Sequence, residues 1–325
     1  MNERTIDYLR ISITDRCNLR CKYCMPSDIE SLPMREILTY EEIAEIAEAA
    51  SESGIRHLRI TGGEPLVRKG CADCIRMLKS IPGIETVMMT TNGILLKQFL
   101  PKLLEAGIDG VNISLDTLDK ERYREITGTD GLALVLGAVE ACVQSGVRTK
   151  INVAAAEEIN KEEIPDLVRL AEKMPVDVRF IEMMPIGYGK QFQSLDNRAI
   201  LEKIRGLYPE IYPAERKGKA GFGPAVYYQI PGFAGRIGFI SAMHGKFCKE
   251  CNRLRLTSTG QLKYCLCYDD AEDMKSIVRS GMDKEMRKKR IRQIFLEAGK
   301  KKPSGHCFEN PEDISENKKM SQIGG

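Results

Sequence analysis

The sequence predicts a parallel α/β fold built from six strand–helix units. Three observations lead there. Short β-branched and apolar runs alternate with stretches of helical periodicity from the N-terminus to about residue 184. The strand and helix patterns come in turn, not in blocks, which is the pattern of a parallel sheet with helical crossovers. Glycine and polar residues gather just after the strands, where parallel α/β folds place their sites. Periodicity alone leaves an open barrel and a doubly wound sheet both available.

Tyr8-Leu9-Arg10-Ile11-Ser12-Ile13 alternates apolar and polar residues as a strand does. A helix begins at about Thr39, where Thr39 and Glu42 have capping-box spacing. Ile43, Ile46, Ala47 and Ala50 form its apolar stripe, and Gly54 closes it. His57–Thr61 is the next strand, ending at Gly62-Gly63-Glu64-Pro65. Helical pattern then covers Cys71–Lys79, Leu95–Ala106, Leu132–Ser145 and Glu162–Lys173. Strand pattern covers Thr86–Thr90, Gly110–Leu115, Arg148–Ala154 and Val178–Met183. The character changes near Pro185–Gly189. A helix over Asp196–Tyr208 follows, then a glycine-rich loop at Lys217–Gly223 and short strands near Ala225–Ile230 and Arg236–Ile240. The division expected is 1–190 for the α/β part and 191–325 for a β-rich extension.

The 325 residues are 42% hydrophobic and 29% charged, enough apolar content for a sizeable core. A net charge of +3 is too mild to imply nucleic acid, but suits an anionic small substrate if the positives converge. The basic run Gly281–Arg292 lacks interleaved aromatics and reads as a solvated helix face. No apolar run reaches membrane-spanning length and the start has no apolar leader, so a cytoplasmic protein without a membrane partner is expected. Eleven cysteines, an odd number with CxxC spacings, point to metal-bound thiols and not to a disulfide framework.

The densest chemistry lies in Thr14-Asp15-Arg16-Cys17-Asn18-Leu19-Arg20-Cys21-Lys22-Tyr23-Cys24. Cys17, Cys21 and Cys24 stand at C-x3-C-x2-C spacing among charged residues, which is no core strand. Soft thiolates this close suit zinc or an iron–sulfur cluster. Three thiolates on a four-iron cube leave one iron free to bind a small molecule. A second constellation follows in Phe247-Cys248-Lys249-Glu250-Cys251-Asn252-Arg253-Leu254-Arg255. Its next cysteine, Cys265, follows Cys251 after thirteen intervening residues. A zinc knuckle is the plain alternative there.

The first stretch resembles the signature of the radical S-adenosylmethionine (SAM) enzymes. The second resembles the auxiliary cluster of their GTP 3′,8-cyclase branch in molybdenum cofactor biosynthesis. Arg59–Pro65, Thr90-Thr91-Asn92-Gly93, Asn112–Asp116, Arg179–Glu182 and the terminal Gly324-Gly325 fall in that family's order. The resemblance implies a partial (β/α)6 TIM-like barrel with a C-terminal β-rich extension carrying a second cluster. It implies two [4Fe-4S] clusters, held by Cys17, Cys21 and Cys24 and by Cys248, Cys251 and Cys265. Tyr23, Gly63, Ser114 and Met184 would contact SAM, with Gly63 leaving room at the methionyl end. Arg10, Arg59, Thr90, Lys150, Arg253 and Arg255 would contact GTP, and arginine forks suit a triphosphate. Arg253, Arg255, Gly324 and Gly325 would also serve catalysis, the diglycine by threading into the site.

The activity implied is cyclisation of GTP to 3′,8-cyclo-7,8-dihydro-GTP, begun by hydrogen abstraction from the ribose. The implied partners are a flavodoxin or ferredoxin as electron donor and a downstream cyclic pyranopterin monophosphate synthase, and the family also allows a homodimer. The competing readings are a peptide-modifying radical SAM enzyme and a zinc-stabilised binding module without catalysis. Cys71 and Cys74 lie within a helical pattern and read as core, as does Cys142. Cys267 competes with Cys265 for the second cluster, and Cys307 receives no role.

Overall fold

The computed structural model describes residues 4–25, 32–215, 223–245, 247–316, 318 and 320–323. Strands β1 (Tyr8–Ser12), β2 (His57–Thr61), β3 (Thr86–Thr91), β4 (Gly110–Ser114), β5 (Arg148–Ala155) and β6 (Asp177–Glu182) are parallel. Between them run α1 (Tyr40–Glu52), α2 (Cys71–Lys79), α3 (Leu96–Glu105), α4 (Lys120–Thr127), α5 (Leu132–Gln144), α6 (Glu157–Asn160) and α7 (Ile164–Lys173). The expected elements are present within a residue or two. Helix α4 was not foreseen. Its sequence is polar, and only Tyr123, Ile126 and Thr127 are buried. It is bounded by the Asp119 cap, which accepts from Arg122 N at 2.7 Å, and by Gly128 at φ +75°.

The strands β1 to β6 lie side by side in chain order. A doubly wound sheet would reverse direction at a switch point. Unbroken order is barrel winding, and β1 and β6 each pair outward with other strands instead of with one another. The expected partial barrel is therefore present. Local rules start each unit. Thr39 Oγ1 accepts Glu42 N at 3.2 Å, while Glu42 Oε2 accepts Thr39 N at 2.7 Å, completing the capping box. Ile43, Ile46, Ala47 and Ala50 face a core shared with Leu9, Ile11, Leu58 and Ile60.

After β6 come α8 (Asn197–Leu207), β7 (Tyr212–Pro213), β8 (Val226–Gln229), β9 (Ile237–Ile240), β10 (Arg253–Leu256), β11 (Gln261–Lys263) and β12 (Ala271–Asp273). Helices α9 (Met274–Val278) and α10 (Lys284–Lys301) follow. These strands extend the same sheet at both edges. β9 pairs parallel with β6 and carries β8 and β7; β10 pairs parallel with β1 and carries β11 and β12. The β-rich extension thus continues the barrel sheet. Lys284, Lys289, Arg290 and Arg292 of the basic run on α10 are exposed, as a solvated face has them, while two members are engaged with α1. Arg287 pairs with Glu45 at 2.6 Å, and Lys288 with Glu52 at 2.6 Å and Glu48 at 3.0 Å, all on α1. The side chains of Arg287 and Lys288 are 20% and 19% exposed, so these two residues dock α10 on α1. Among the described residues no single helix is long and apolar enough to cross a membrane.

Candidate active site between two cysteine triads

The first triad hangs from the end of β1. Cys24 N and Met25 N both donate to Cys21 O at 2.9 Å, turning the loop back on itself. Arg20 N and Lys22 N donate to Thr127 O and Ile126 O, which fastens the loop to the end of α4. Burial pushes the Cys21 thiol well above its ordinary range, and the neighbouring Cys24, Asp116 and Cys17 push it further. Burial, followed by the Glu64 charge, raises the Cys17 thiol as well, and thiols brought together on one short loop are a donor set that a cationic centre would hold as thiolates. The residues fit an iron–sulfur group.

Gly63 lies beneath this loop. Its N–H donates to Thr14 O at 2.8 Å, and a Cβ there would collide with the Arg16 carbonyl. The demand for glycine seen here therefore comes from the chain's own cysteine loop, a different reason from the methionyl clearance expected of it. Next to it, buried Glu64 accepts Leu66 N at 3.0 Å, Thr91 Oγ1 at 2.8 Å and Asn92 N at 2.7 Å. Burial raises its carboxyl to about 7 despite these donors.

Tyr23 donates its hydroxyl to Asp116 Oδ2 at 2.5 Å and meets Phe192 edge to face, ring centres 6.2 Å apart. Asp116 also accepts Ala154 N at 2.8 Å, and burial raises it to about 6. Tyr23, Ser114, Thr90, Met184, Arg10, Arg253 and Arg255 all line one cavity of about 240 Å³ over the C-terminal ends of the strands. That gathers residues scattered over most of the chain.

The second triad closes the far side. Cys248, Cys251 and Cys265 line an adjoining cavity with Met184, Arg253, Arg255, Lys302 and His306. Burial raises the Cys248 thiol, and Cys265 and Cys251 add to that. Cys251 goes the other way: burial opposes ionisation, but Arg253 and Lys302 bring it down to about 7. Lys302 donates to Arg253 O at 2.7 Å and to Tyr264 O. Cys267 points elsewhere. It is fully buried and bonded to Cys307, their Cα atoms 6.5 Å apart. This pairing gives Cys307 a partner, while the other nine of the eleven cysteines are free thiols, so it does not amount to a disulfide framework.

Between the triads the barrel interior is cationic. Arg10, Arg59, Lys150, Arg179 and Arg253 line one cavity with Tyr8, Asn112, Asn152 and Tyr227, and no acidic residue is among its described lining residues. The register Tyr8↔Arg253 and Arg10↔Arg255 between β1 and β10 brings the N-terminal arginine beside the C-terminal pair. Burial, then Arg255, lowers Arg10 well below its ordinary range; burial, then Arg253, lowers Arg255 to about 10. Arg59 donates to Tyr8 Oη and, at 3.5 Å, to Thr90 Oγ1. Sequence reasoning gave no role to Tyr8, Asn152, Arg179 or Tyr227. Arg179 donates through Nε to Asn152 Oδ1 at 2.9 Å. A charged residue within a buried strand was the signal that could have marked it.

The C-terminal segment packs beside the second triad. Ile323, Phe308, Ile314 and Ile186 are buried together with Cys267, and Met184 and Cys265 rest against them. Gly324 and Gly325, expected to enter the site, lie outside the described residues.

Comparison with known proteins fits this geometry. Residues 11–171 match the radical SAM superfamily, and residues 176–308 match the family described as Molybdenum Cofactor Synthesis C. The GTP 3′,8-cyclase of Clostridium perfringens (strain SM101 / Type A) is 43% identical over 323 residues, covering 99% of this chain and 98% of its own. That of Moorella thermoacetica (strain ATCC 39073 / JCM 9320) is 43% identical over 328 residues, with the same coverage. The crystal structure of Streptococcus suis SuiB bound to S-adenosylmethionine aligns with a TM-score of 0.66 at 16% identity. It covers 96% of this chain and 77% of that one, a likeness of fold. With two whole-length relatives at 43% identity and both family regions present, the chain belongs to the GTP 3′,8-cyclase family of radical SAM enzymes.

Proposed function

We propose that this protein binds GTP between its two cysteine triads and cyclises it to 3′,8-cyclo-7,8-dihydro-GTP. The observation that carries the reading is the convergence of Arg10, Arg59, Lys150, Arg179 and Arg253 on one cavity with no carboxylate along its described lining, joined at Arg10 and Arg253 to the larger cavity that Tyr23, Asp116 and Glu182 also line. Cations that depress one another's proton affinity are offset by a ligand of several negative charges. A triphosphate is such a ligand.

Cys17, Cys21 and Cys24 hold the cluster that, with SAM, supplies the one-electron chemistry of hydrogen abstraction. Tyr23 offers an aromatic face for the adenine, its hydroxyl fixed by Asp116. Ser114 and Met184 line the same cavity. Gly63 holds the turn under the cysteine loop. Arg10, Arg59, Thr90, Lys150, Arg253 and Arg255 orient the nucleotide and keep its phosphates away from the radical end. Cys248, Cys251 and Cys265 hold the second cluster, beside Arg253 and Arg255. The family resemblance, and not a described position, assigns Gly324 and Gly325 a part in catalysis. The reductant is a flavodoxin or ferredoxin, and the product passes to a cyclic pyranopterin monophosphate synthase. The fold likeness to SuiB, at 16% identity, does not bear on substrate; the whole-length relatives at 43% support the nucleotide reading.

The test is anaerobic incubation of the reconstituted protein with SAM, dithionite and GTP, followed by mass analysis. A GTP-dependent cyclised product is expected. Cleavage of SAM with no nucleotide product would reject GTP as substrate.

A further inference from the structure

The hairpin of β7 and β8 places one hydroxyl among the cations of the barrel wall. Lys150 on β5 is the register partner of Asp177 on β6. Lys150 Nζ lies 3.0 Å from Asp177 Oδ2 and donates to Tyr227 Oη at 2.7 Å. Arg236, just before β9, takes the same carboxylate through Nε to Oδ1 at 2.9 Å and Nη2 to Oδ2 at 2.8 Å. Its guanidinium lies 4.5 Å from the centre of the Tyr227 ring. Burial alone would raise Asp177, but the bonds from Arg236 and the charge of Lys150 hold it below its ordinary range.

The charges decide what this arrangement does. A lysine paired only with a carboxylate would present no net charge to the cavity. Here two cations share one carboxylate, so one positive charge remains. Arg236 offsets Asp177, while Asp177 and the Tyr227 hydroxyl fix the direction of Lys150. Its side chain is 2% exposed and is set before any ligand arrives. A lysine stem otherwise loses rotamer freedom when it is immobilised on a ligand. Tyr227 also acts on Arg179, opposing the lowering by burial and by Arg59.

We propose that Tyr227, Asp177 and Arg236 are positioning residues that hold the Lys150 ammonium toward the phosphate chain of the substrate. The C-terminal hairpin then sets affinity for that chain without touching the reacting carbon. The proposal rests on the nucleotide reading given above, with Tyr227 and Arg236 supplied from outside the first six strands and Asp177 from β6.

The experiment is anaerobic equilibrium binding of GTP and of guanosine to cluster-loaded protein. The variants are Tyr227→Phe, Arg236→Gln, Lys150→Met and the Tyr227→Phe/Lys150→Met double variant, each matched to wild type in iron content. Tyr227→Phe should weaken GTP about tenfold, the scale of one lost charge-assisted hydrogen bond, and leave guanosine unchanged. Arg236→Gln should weaken GTP in the same direction, because Asp177 is then left to offset Lys150 alone. The double variant should bind GTP no more weakly than Lys150→Met alone, because Tyr227 acts through Lys150. Full multiplication of the two losses, equal weakening of guanosine, or wild-type GTP affinity in Tyr227→Phe would each overturn the proposal while leaving the nucleotide reading standing. A wild-type protein that does not bind GTP would overturn both.

Discussion

At the scale of single residues, two cysteines separated by one leucine have opposite fates. Cys265 lines the cavity with Cys248 and Cys251, while Cys267 turns into a buried apolar cluster and bonds to Cys307. Alternation along an extended segment explains this in part, since neighbours two apart share a face only where the backbone stays regular. Beyond Lys263 the strand has ended, and the backbone is no longer held to that alternation. Cys265→Ser should therefore remove about half of the iron from the loaded protein and stop GTP turnover, because a hard hydroxyl replaces a soft ligand. Cys267→Ser should keep its iron. Iron content measured after anaerobic reconstitution decides it, and loss of iron in Cys267→Ser with retention in Cys265→Ser would exchange the two roles.

At the scale of elements, the C-terminal segment is fastened to β11 by one charge pair. Lys263 and Glu316 form an ion pair with both side chains 1% exposed. Glu316 N also donates to Cys267 O at 3.3 Å. Removing one member of a buried pair strands the other charge, at a cost of about 3–5 kcal/mol. Among its described residues the segment has few other backbone bonds, so it should release locally before the barrel unfolds. Glu316→Gln, studied with reductant present, should speed amide exchange over residues 307–323 and leave the strands β1 to β6 protected. Replacing both partners with apolar residues of similar size should restore protection. Unchanged exchange in Glu316→Gln would show that the apolar contacts around Ile323 hold the segment by themselves.

At the scale of the whole molecule, the sheet makes the two halves of the chain depend on each other. A division at residues 190 and 191 would expose the edge of β1 that pairs with β10 and the edge of β6 that pairs with β9. It would also strip α10 and its lysine and arginine from the acidic face of α1. Unpaired edges next to a buried core invite aggregation. A chain ending at Lys190 should thus fail to unfold cooperatively and should run as aggregate on gel filtration. A monomeric, cooperatively unfolding 1–190 fragment would show the barrel to be independent of its extension.

The sequence by itself determined the six parallel strands, most of their helices, both cysteine triads and the family. These are legible because strand and helix periods are local properties of the backbone, and because cysteine spacing is read directly along the chain. Tertiary structure decided the rest. Strand order separates the barrel from a doubly wound sheet, and no local period encodes which strand lies beside which. The docking of α10 on α1 takes Arg287 and Lys288 out of an otherwise solvated basic face. Tyr227 meets Lys150 across 77 residues of chain, and Asp177 meets Arg236 across 59. Such contacts depend on the twist and register of strands that are distant in sequence, so the positioning network around the substrate cavity became visible only once the sheet was assembled.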